Sequence, residues 1–182
     1  LMGKTASVNV GNLYVSTQEA STVNDTGFAT SGAAPLSTTA VGKADVVNMG
    51  SVSANKVEVY GKNIRILDAG TVSAATSPVV LHTDAANDGY AHIGYQTATP
   101  PAASAYTVNG TAATADNYYK LVHNTTEFQN ISSNLAGNYM LANDIDFTDP
   151  VTNAARAVTP LGGNGAAPFT GKIDGNFYKV KN

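Results

Sequence analysis

The feature that most constrains this chain is its match to itself. Val46-Val47-Asn48-Met49-Gly50-Ser51-Val52-Ser53-Ala54 resembles Ile66-Leu67-Asp68-Ala69-Gly70-Thr71-Val72-Ser73-Ala74 at a constant offset of 20 residues. A fixed period of this size marks stacked units, each too small to bury its apolar face alone. Twenty residues at about 3.3 Å each give a path of roughly 65 Å, enough to wrap once around a section that one layer of side chains fills. The next turn of chain then pairs about 4.8 Å higher. On this geometry residues 46–54 lie in parallel register with 66–74, and Val52 stacks on Val72. A one-residue slip would turn Val72 to solvent.

The local pattern agrees with strands. Val57 and Val59 alternate with Lys56 and Glu58, and Ile64 and Ile66 flank Arg65. Both patterns predict apolar side chains inward and charged ones outward, whereas helical spacing fails here. The chain is 13% charged and 43% hydrophobic, with Gly, Ser, Thr, Asn and Ala dominating the remainder. Recurrent Val and Ile argue against disorder and for short strands joined by tight turns. Residues 6–17 read as strand, Gly turn, strand. Residues 18–44 read as a loop or excursion, and Pro100–Ala105 marks a linker. Beyond residue 118, Asn124-Thr125-Thr126-Glu127 is a capping-box pattern. Phe128, Ile131 and Leu135 follow at helical spacing until Ala136-Gly137-Asn138. Tyr139, Leu141, Asn143, Ile145 and Phe147 then alternate as a strand, which sends Asn143 inward and Asp144 and Asp146 outward. Asp174-Gly175 marks a turn. Three segments are expected: stacked strands over 1–96, a linker or loop over 97–117, and a β module with a short helix over 118–182.

The chemistry suggested by the residues is sparse. A net charge of −3 with no basic stripe leaves nothing to neutralise phosphates, so no nucleic-acid partner is expected. Only Lys172, Lys179 and Lys181 lie close together. Without cysteine there are no disulfides or thiolate metal sites. No run reaches the roughly 18–20 apolar residues of a membrane span. Leu1-Met2-Gly3-Lys4 leads into a polar strand pattern, so a secretion signal is expected upstream or already removed. Carbohydrate-cleaving enzymes of stacked-strand type need paired carboxylates, or aspartate-bound calcium with a basic proton acceptor. The candidates are Asp144, Asp146 and Asp149. The first two share a strand face within metal reach, but Asp149 precedes Pro150, and the only arginines are Arg65 and Arg156. A solvated strand edge and turn is the reading, with calcium and catalysis as alternatives. His82, His92 and His123 share no ligand spacing. The serines lack a nucleophile-elbow context. Gly162-Gly163-Asn164-Gly165 reads as a surface turn, not a phosphate loop. Asn24, Asn109, Asn124 and Asn130 begin Asn-x-Ser/Thr triplets, and their modification stays open. No catalytic residue, cofactor or metal ligand is assigned.

Two blocks carry a family resemblance. Ala6-Ser7-Val8-Asn9-Val10-Gly11-Asn12-Leu13-Tyr14-Val15-Ser16-Thr17, with the 46–74 repeat, resembles the secretion domain of filamentous haemagglutinin-like exoproteins. The Asn-Pro-Asn-Gly segment that opens that motif is missing, so the chain is expected to begin inside it. From about residue 118, Glu127-Phe128-Gln129-Asn130-Ile131, Asn138-Tyr139-Met140-Leu141-Ala142-Asn143-Asp144-Ile145-Asp146, Thr159-Pro160-Leu161-Gly162 and Phe169-Thr170-Gly171-Lys172-Ile173-Asp174-Gly175-Asn176 form an ordered series. The series resembles the GLUG-type repeat of bacterial adhesins and surface proteases. It departs at Phe177, where a second Gly is usual, and at Tyr178, where His is common.

The resemblance implies a right-handed parallel β-helix, or β-solenoid, with coils of about 20 residues. It implies a secreted adhesin on the outer surface of a Gram-negative bacterium, exported by an outer-membrane two-partner secretion transporter. Its partners would be a host or bacterial surface receptor or glycan. A purely structural filament or shaft is the alternative, followed by a carbohydrate-binding or carbohydrate-cleaving β-helix. Such a segment, cut from a longer solenoid, is expected to expose unpaired strand edges over 169–182, and so to self-associate there or to have that end covered by a neighbouring chain.

Overall fold

A computed structural model describes residues 7–16, 47–49, 51–76, 78–149, 151–152, 154–155, 157–162 and 167–182. The described chain is mainly β, with little helix. It divides into two compact units, residues 1–118 and 119–182.

In the first unit, β1 (Ser7–Ser16), β2 (Val47–Met49) and β3 (Ser51–Tyr60) precede β4 (Ile64–Ile66), β5 (Val72–Ala74) and β6 (Val79–His82). β7 (Ala91–Tyr95), β8 (Tyr106–Val108) and β9 (Thr111–Ala112) complete it. β3 pairs in parallel with β1 along one edge; along the other it pairs with β5 at its start and β6 at its end. That exchange of partners follows from a phase change in the sequence. Val52 and Ala54 are buried, Asn55 is exposed, and the inward positions resume at Val57 and Val59. β8 continues the ladder on β6. β9 folds back antiparallel through Asn109-Gly110, whose φ values of 49° and 82° suit a tight hairpin turn. β2, β4 and β7 form a second parallel ladder.

The register expectation holds in part. Val52 pairs with Val72, Ser53 with Ser73 and Ala54 with Ala74. Ahead of these it fails by three residues: Val47, Asn48 and Met49 face Ile64, Arg65 and Ile66, not Leu67, Asp68 and Ala69. Only Gly50 separates β2 from β3, whereas five residues separate β4 from β5. Three of those five, Ala69–Thr71, form a 3-10 turn whose Gly70 amide donates to Asp68 Oδ1 at 2.9 Å. The uniform repeat of about 20 residues also gives way downstream, where Ile64 faces Ala91 and Val79 faces Tyr106.

Inward side chains form a core of Val52, Val57, Val59, Ile64, Ile66, Leu81 and Ile93, each at most 1% exposed. A fully buried Val, Leu or Ile contributes about 1.5–3 kcal/mol relative to an exposed one. Two further expectations are corrected. Gly11 lies inside one continuous strand, β1, rather than at a turn. Residues 97–117 are not only linker: they carry β8 and β9, and Tyr106, 1% exposed, enters the core. The loop expected over 18–44 lies outside the described residues.

The second unit takes all but the first residue of β10 (Tyr118–Val122), then α1 (Thr125–Gln129), β11 (Asn138–Leu141), β12 (Ile145–Asp146), β13 (Lys172–Asp174) and β14 (Val180–Lys181). β11 pairs in parallel with β10 and β13, and β12 pairs with β14. Asn124 caps α1 by accepting from the Glu127 amide at 2.9 Å, as the sequence pattern requires. The helix ends early, passing into a 3-10 turn at Asn130–Ser133 that buries Ile131. Val122, Ile131, Leu141, Ile145 and Phe147 form the core, with Phe128 meeting Phe147 edge-on at 5.7 Å. The opposite face of β10 and β11 buries Tyr119, Leu121 and Met140.

The single strand expected over 139–147 is broken. The chain bends at Ala142 and Asn143, and Asn143 is exposed, so its inward placement is overturned. Asp144 and Asp146 are exposed, as expected. The bend costs no backbone pairing at Ala142, whose amide donates to the Val122 carbonyl at 2.8 Å.

Candidate functional site

Asparagines at strand ends do the same work in both units. Asn63 Oδ1 accepts from the Tyr90 amide at 3.3 Å, and Asn109 Oδ1 accepts from the Thr83 amide at 2.9 Å. Asn117 Nδ2 donates to the Ala91 carbonyl at 3.2 Å. In the second unit, Asn143 Nδ2 donates to the His123 carbonyl and Asn176 Nδ2 to the Leu141 carbonyl, both at 3.2 Å. Each partner lies 20 or more positions away. Turns do not ladder as strands do, so their backbone groups need side-chain partners, and a carboxamide offers both donor and acceptor. Gln129 serves similarly: it accepts from the Thr159 amide at 2.8 Å and donates to the Thr159 carbonyl at 3.3 Å. These clamps were not read from the sequence. An Asn flanking an apolar strand run, one to three residues beyond it or, as Asn117, directly before it, was the available signal.

The charged outward residues are less solvated than their alternation suggests. Glu58 is 9% exposed, held by Lys56 at 2.6 Å and by the Tyr60 hydroxyl at 3.1 Å. Arg65 is 8% exposed, with its guanidinium 5.2 Å from the centre of the Tyr90 ring. His82 stacks on Tyr60 at 4.2 Å and His92 on Tyr90 at 4.1 Å. Burial lowers the His82 pKa; Glu58 opposes that shift and Lys56 reinforces it.

The three aspartates brace backbone. Asp144 Oδ1 accepts from the Lys179 amide at 3.0 Å, and Asp149 Oδ1 from the amides of Val151 and Thr152. Asp146 Oδ1 accepts from the Thr148 amide at 2.9 Å, and its Oδ2 meets Lys181 at 3.2 Å. The Thr148 bonds and then Lys181 hold the Asp146 carboxyl below its usual range. Among the described residues no group of three His, Asp or Glu side chains is placed to hold a metal ion. Of the triplet asparagines, Asn109 and Asn124 spend their amides on the fold, and Asn130 is exposed. Asn24, Arg156 and 163–165 of the glycine run lie outside the described residues.

His123 and Glu127 form a titratable pair one helical turn apart. Glu127 Oε2 accepts from the His123 amide at 2.7 Å and sits 3.0 Å from His123 Nδ1. Partial burial raises the Glu127 pKa, but the His123 amide and ring and the Asn124 amide outweigh it, and the net shift is downward. A depressed folded pKa contributes stability that is complete above the unfolded pKa and is lost as pH falls through the folded one. Glu127→Gln is therefore expected to destabilise by about 0.5–1 kcal/mol at neutral pH, given the exposure of the pair. That difference should close as pH drops below the ordinary carboxylate range. Melting curves of both proteins between neutral and acid pH check this, and a gap unchanged at low pH refutes it.

The departure at Phe177 has a backbone meaning. Asn176 and Phe177 both sit at positive φ, 46° and 64°, and Phe177 is 76% exposed. A left-handed conformation costs a Cβ-bearing residue roughly 1–2 kcal/mol, which glycine avoids. Phe177→Gly is expected to stabilise the second unit by about 1 kcal/mol. Urea denaturation measures it, and a destabilised variant would show that the ring's packing outweighs the strain.

No protein-family model matches the chain, and neither the curated proteins nor the solved structures yield a match.

Proposed function

We propose that this chain is a non-catalytic segment of a large secreted bacterial surface adhesin, built as a right-handed parallel β-solenoid and exported by an outer-membrane partner transporter. The observation that carries the reading is the parallel stacking of Val52–Ala54 on Val72–Ala74. It continues through β6 to β8, with apolar columns inside and side-chain amides clamping the turns. The two resemblances supply the adhesin and its export. The brief antiparallel return of β9 is an edge feature on this reading.

A structural shaft is the second reading. The commitment of Glu58, Arg65 and the turn amides to internal partners favours it. Beads coated with the purified chain, presented to epithelial cells and to a glycan array, separate the two. Saturable adherence that free chain competes away supports the adhesin. Adherence equal to that of beads carrying an unrelated protein overturns it in favour of the shaft.

A further inference from the structure

Among the described residues one asparagine precedes a glycine: Asn109 before Gly110, at the tip of the β8–β9 hairpin. Such a step carries its own chemistry, because glycine has no Cβ to shield its amide nitrogen. That nitrogen, once deprotonated, attacks the preceding carboxamide. A bond forms between the Gly110 nitrogen and Asn109 Cγ, the bond from Cγ to Nδ2 breaks, and ammonia leaves with the amide proton. Water then opens the cyclic imide. Hydrolysis at its main-chain side or its side-chain side gives isoaspartate or aspartate, and in isoaspartate the backbone runs through the side-chain carbon.

The turn leaves the attack open and a clamp opposes it. Both residues are exposed, and nothing lies within 4 Å of the place a Gly110 Cβ would take. However, Asn109 Oδ1 accepts from the Thr83 amide and Asn109 Nδ2 donates to Thr83 Oγ1, both at 2.9 Å. Thr83 is itself 7% exposed. Ammonia cannot depart while Nδ2 is held there. Ring closure also needs rotation within the turn, which the pairing of Val108 with Thr111 resists. So does the Asn109 amide, which donates to the Leu81 carbonyl at 2.9 Å.

We propose that Asn109 is a self-modification site gated by Thr83. The carboxamide stays intact while clamped and converts to aspartate and isoaspartate when the hairpin opens. The two products act differently. Aspartate keeps the clamp, because its carboxylate accepts from the Thr83 amide and from the Thr83 hydroxyl turned round as a donor. Isoaspartate adds a carbon to the main chain of a two-residue turn, whose length sets the register of the hairpin. β9 then comes off β8, and the bond from the Ala113 amide to the Tyr106 carbonyl, 3.0 Å long, is lost with it. β9 covers the edge of β8 that faces away from β6, so isoaspartate reopens that edge. The proposal rests on the clamp and not on adhesion, so this test and bead adherence fail independently.

The whole chain, folded and in urea, is incubated at mildly alkaline pH, which deprotonates more of the Gly110 amide. Peptide mapping by mass follows position 109, and a methyltransferase specific for isoaspartate counts that product. The folded chain should convert more slowly than the unfolded one by on the order of tenfold or more. Thr83→Val keeps the backbone donor and the side-chain shape but removes the acceptor of Nδ2. It should speed conversion of the folded chain about fivefold, the factor for one hydrogen bond. Thr83→Ser keeps the hydroxyl and should keep the parent rate. Hydrogen exchange at the Ala113 amide should rise in isoaspartate-bearing chain and not in Asn109→Asp. Equal rates for the folded and unfolded parent overturn the proposal, even where Thr83→Val does not fold. So does a folded Thr83→Val that converts no faster than the parent, or a folded Thr83→Ser that converts as fast as the chain in urea.

Discussion

Tyr106→Ala is expected to cost about 3–5 kcal/mol, the range for removing a large aromatic ring from a core. Tyr106 is 1% exposed and follows Val79 in the β6–β8 ladder. Its hydroxyl reaches the carbonyls of Ala69 and Val72, each at 3.3 Å. The ring thus joins the 3-10 turn before β5 to a strand more than 30 positions later. Burial raises the phenol's pKa above its ordinary value, so the hydroxyl is a donor at neutral pH. Tyr106→Phe keeps the ring and should cost about 0.5–1.5 kcal/mol, the net value of a hydrogen bond. Chemical denaturation of the three proteins checks the order. A Tyr106→Ala loss near that of Tyr106→Phe would mean the ring does not fill the core.

Tyr106 also shows where the sequence stops being readable. Prolines and small residues at 100–105 argued for a linker, and one aromatic among them carried no period. The exchange of β3's partners left the same kind of trace: a missed beat at Asn55 that alternation alone treats as noise. Periodicity is legible where turns have equal length. The match of 52–54 to 72–74 therefore survives in space, while that of 47–49 to 67–69 does not, because a five-residue turn replaces Gly50. Capping was legible at Asn124 because cap and helix are adjacent in sequence. Asn143 was misplaced because a two-residue bend restores the inward phase at Ile145, so pattern alone cannot distinguish bend from continuous strand. Among the polar candidates, the stack of His82 on Tyr60 and the asparagine clamps depend on partners 20 or more residues away, whereas His92 stacks on Tyr90 two positions before it. Asp144 and Asp146 lie at the surface as expected and Asp149 is half-buried, but the bonds of all three to backbone amides follow from turn geometry that composition does not encode.

Gly171→Ala is expected to be the most damaging small substitution in the second unit, costing on the order of 3 kcal/mol or more. Gly171 lies against Gly137 just before the first β11–β13 pair, Asn138 with Lys172. Its amide donates to the Leu135 carbonyl at 2.9 Å, which draws the two backbones together. A Cβ at Gly171 would land on the Gly137 carbonyl oxygen. Backbone cannot rotate aside as a side-chain end can, so β13 must move off β11. Gly175→Ala supplies the control, because a Cβ there comes no nearer than 3.8 Å to the Tyr178 carbonyl oxygen and the residue is not at positive φ. It should stay within about 0.5 kcal/mol of the parent. Hydrogen exchange adds a local reading: amides of β13 should lose protection in Gly171→Ala under native conditions. Equal melting temperatures for the two variants would show that β13 does not approach β11 this closely.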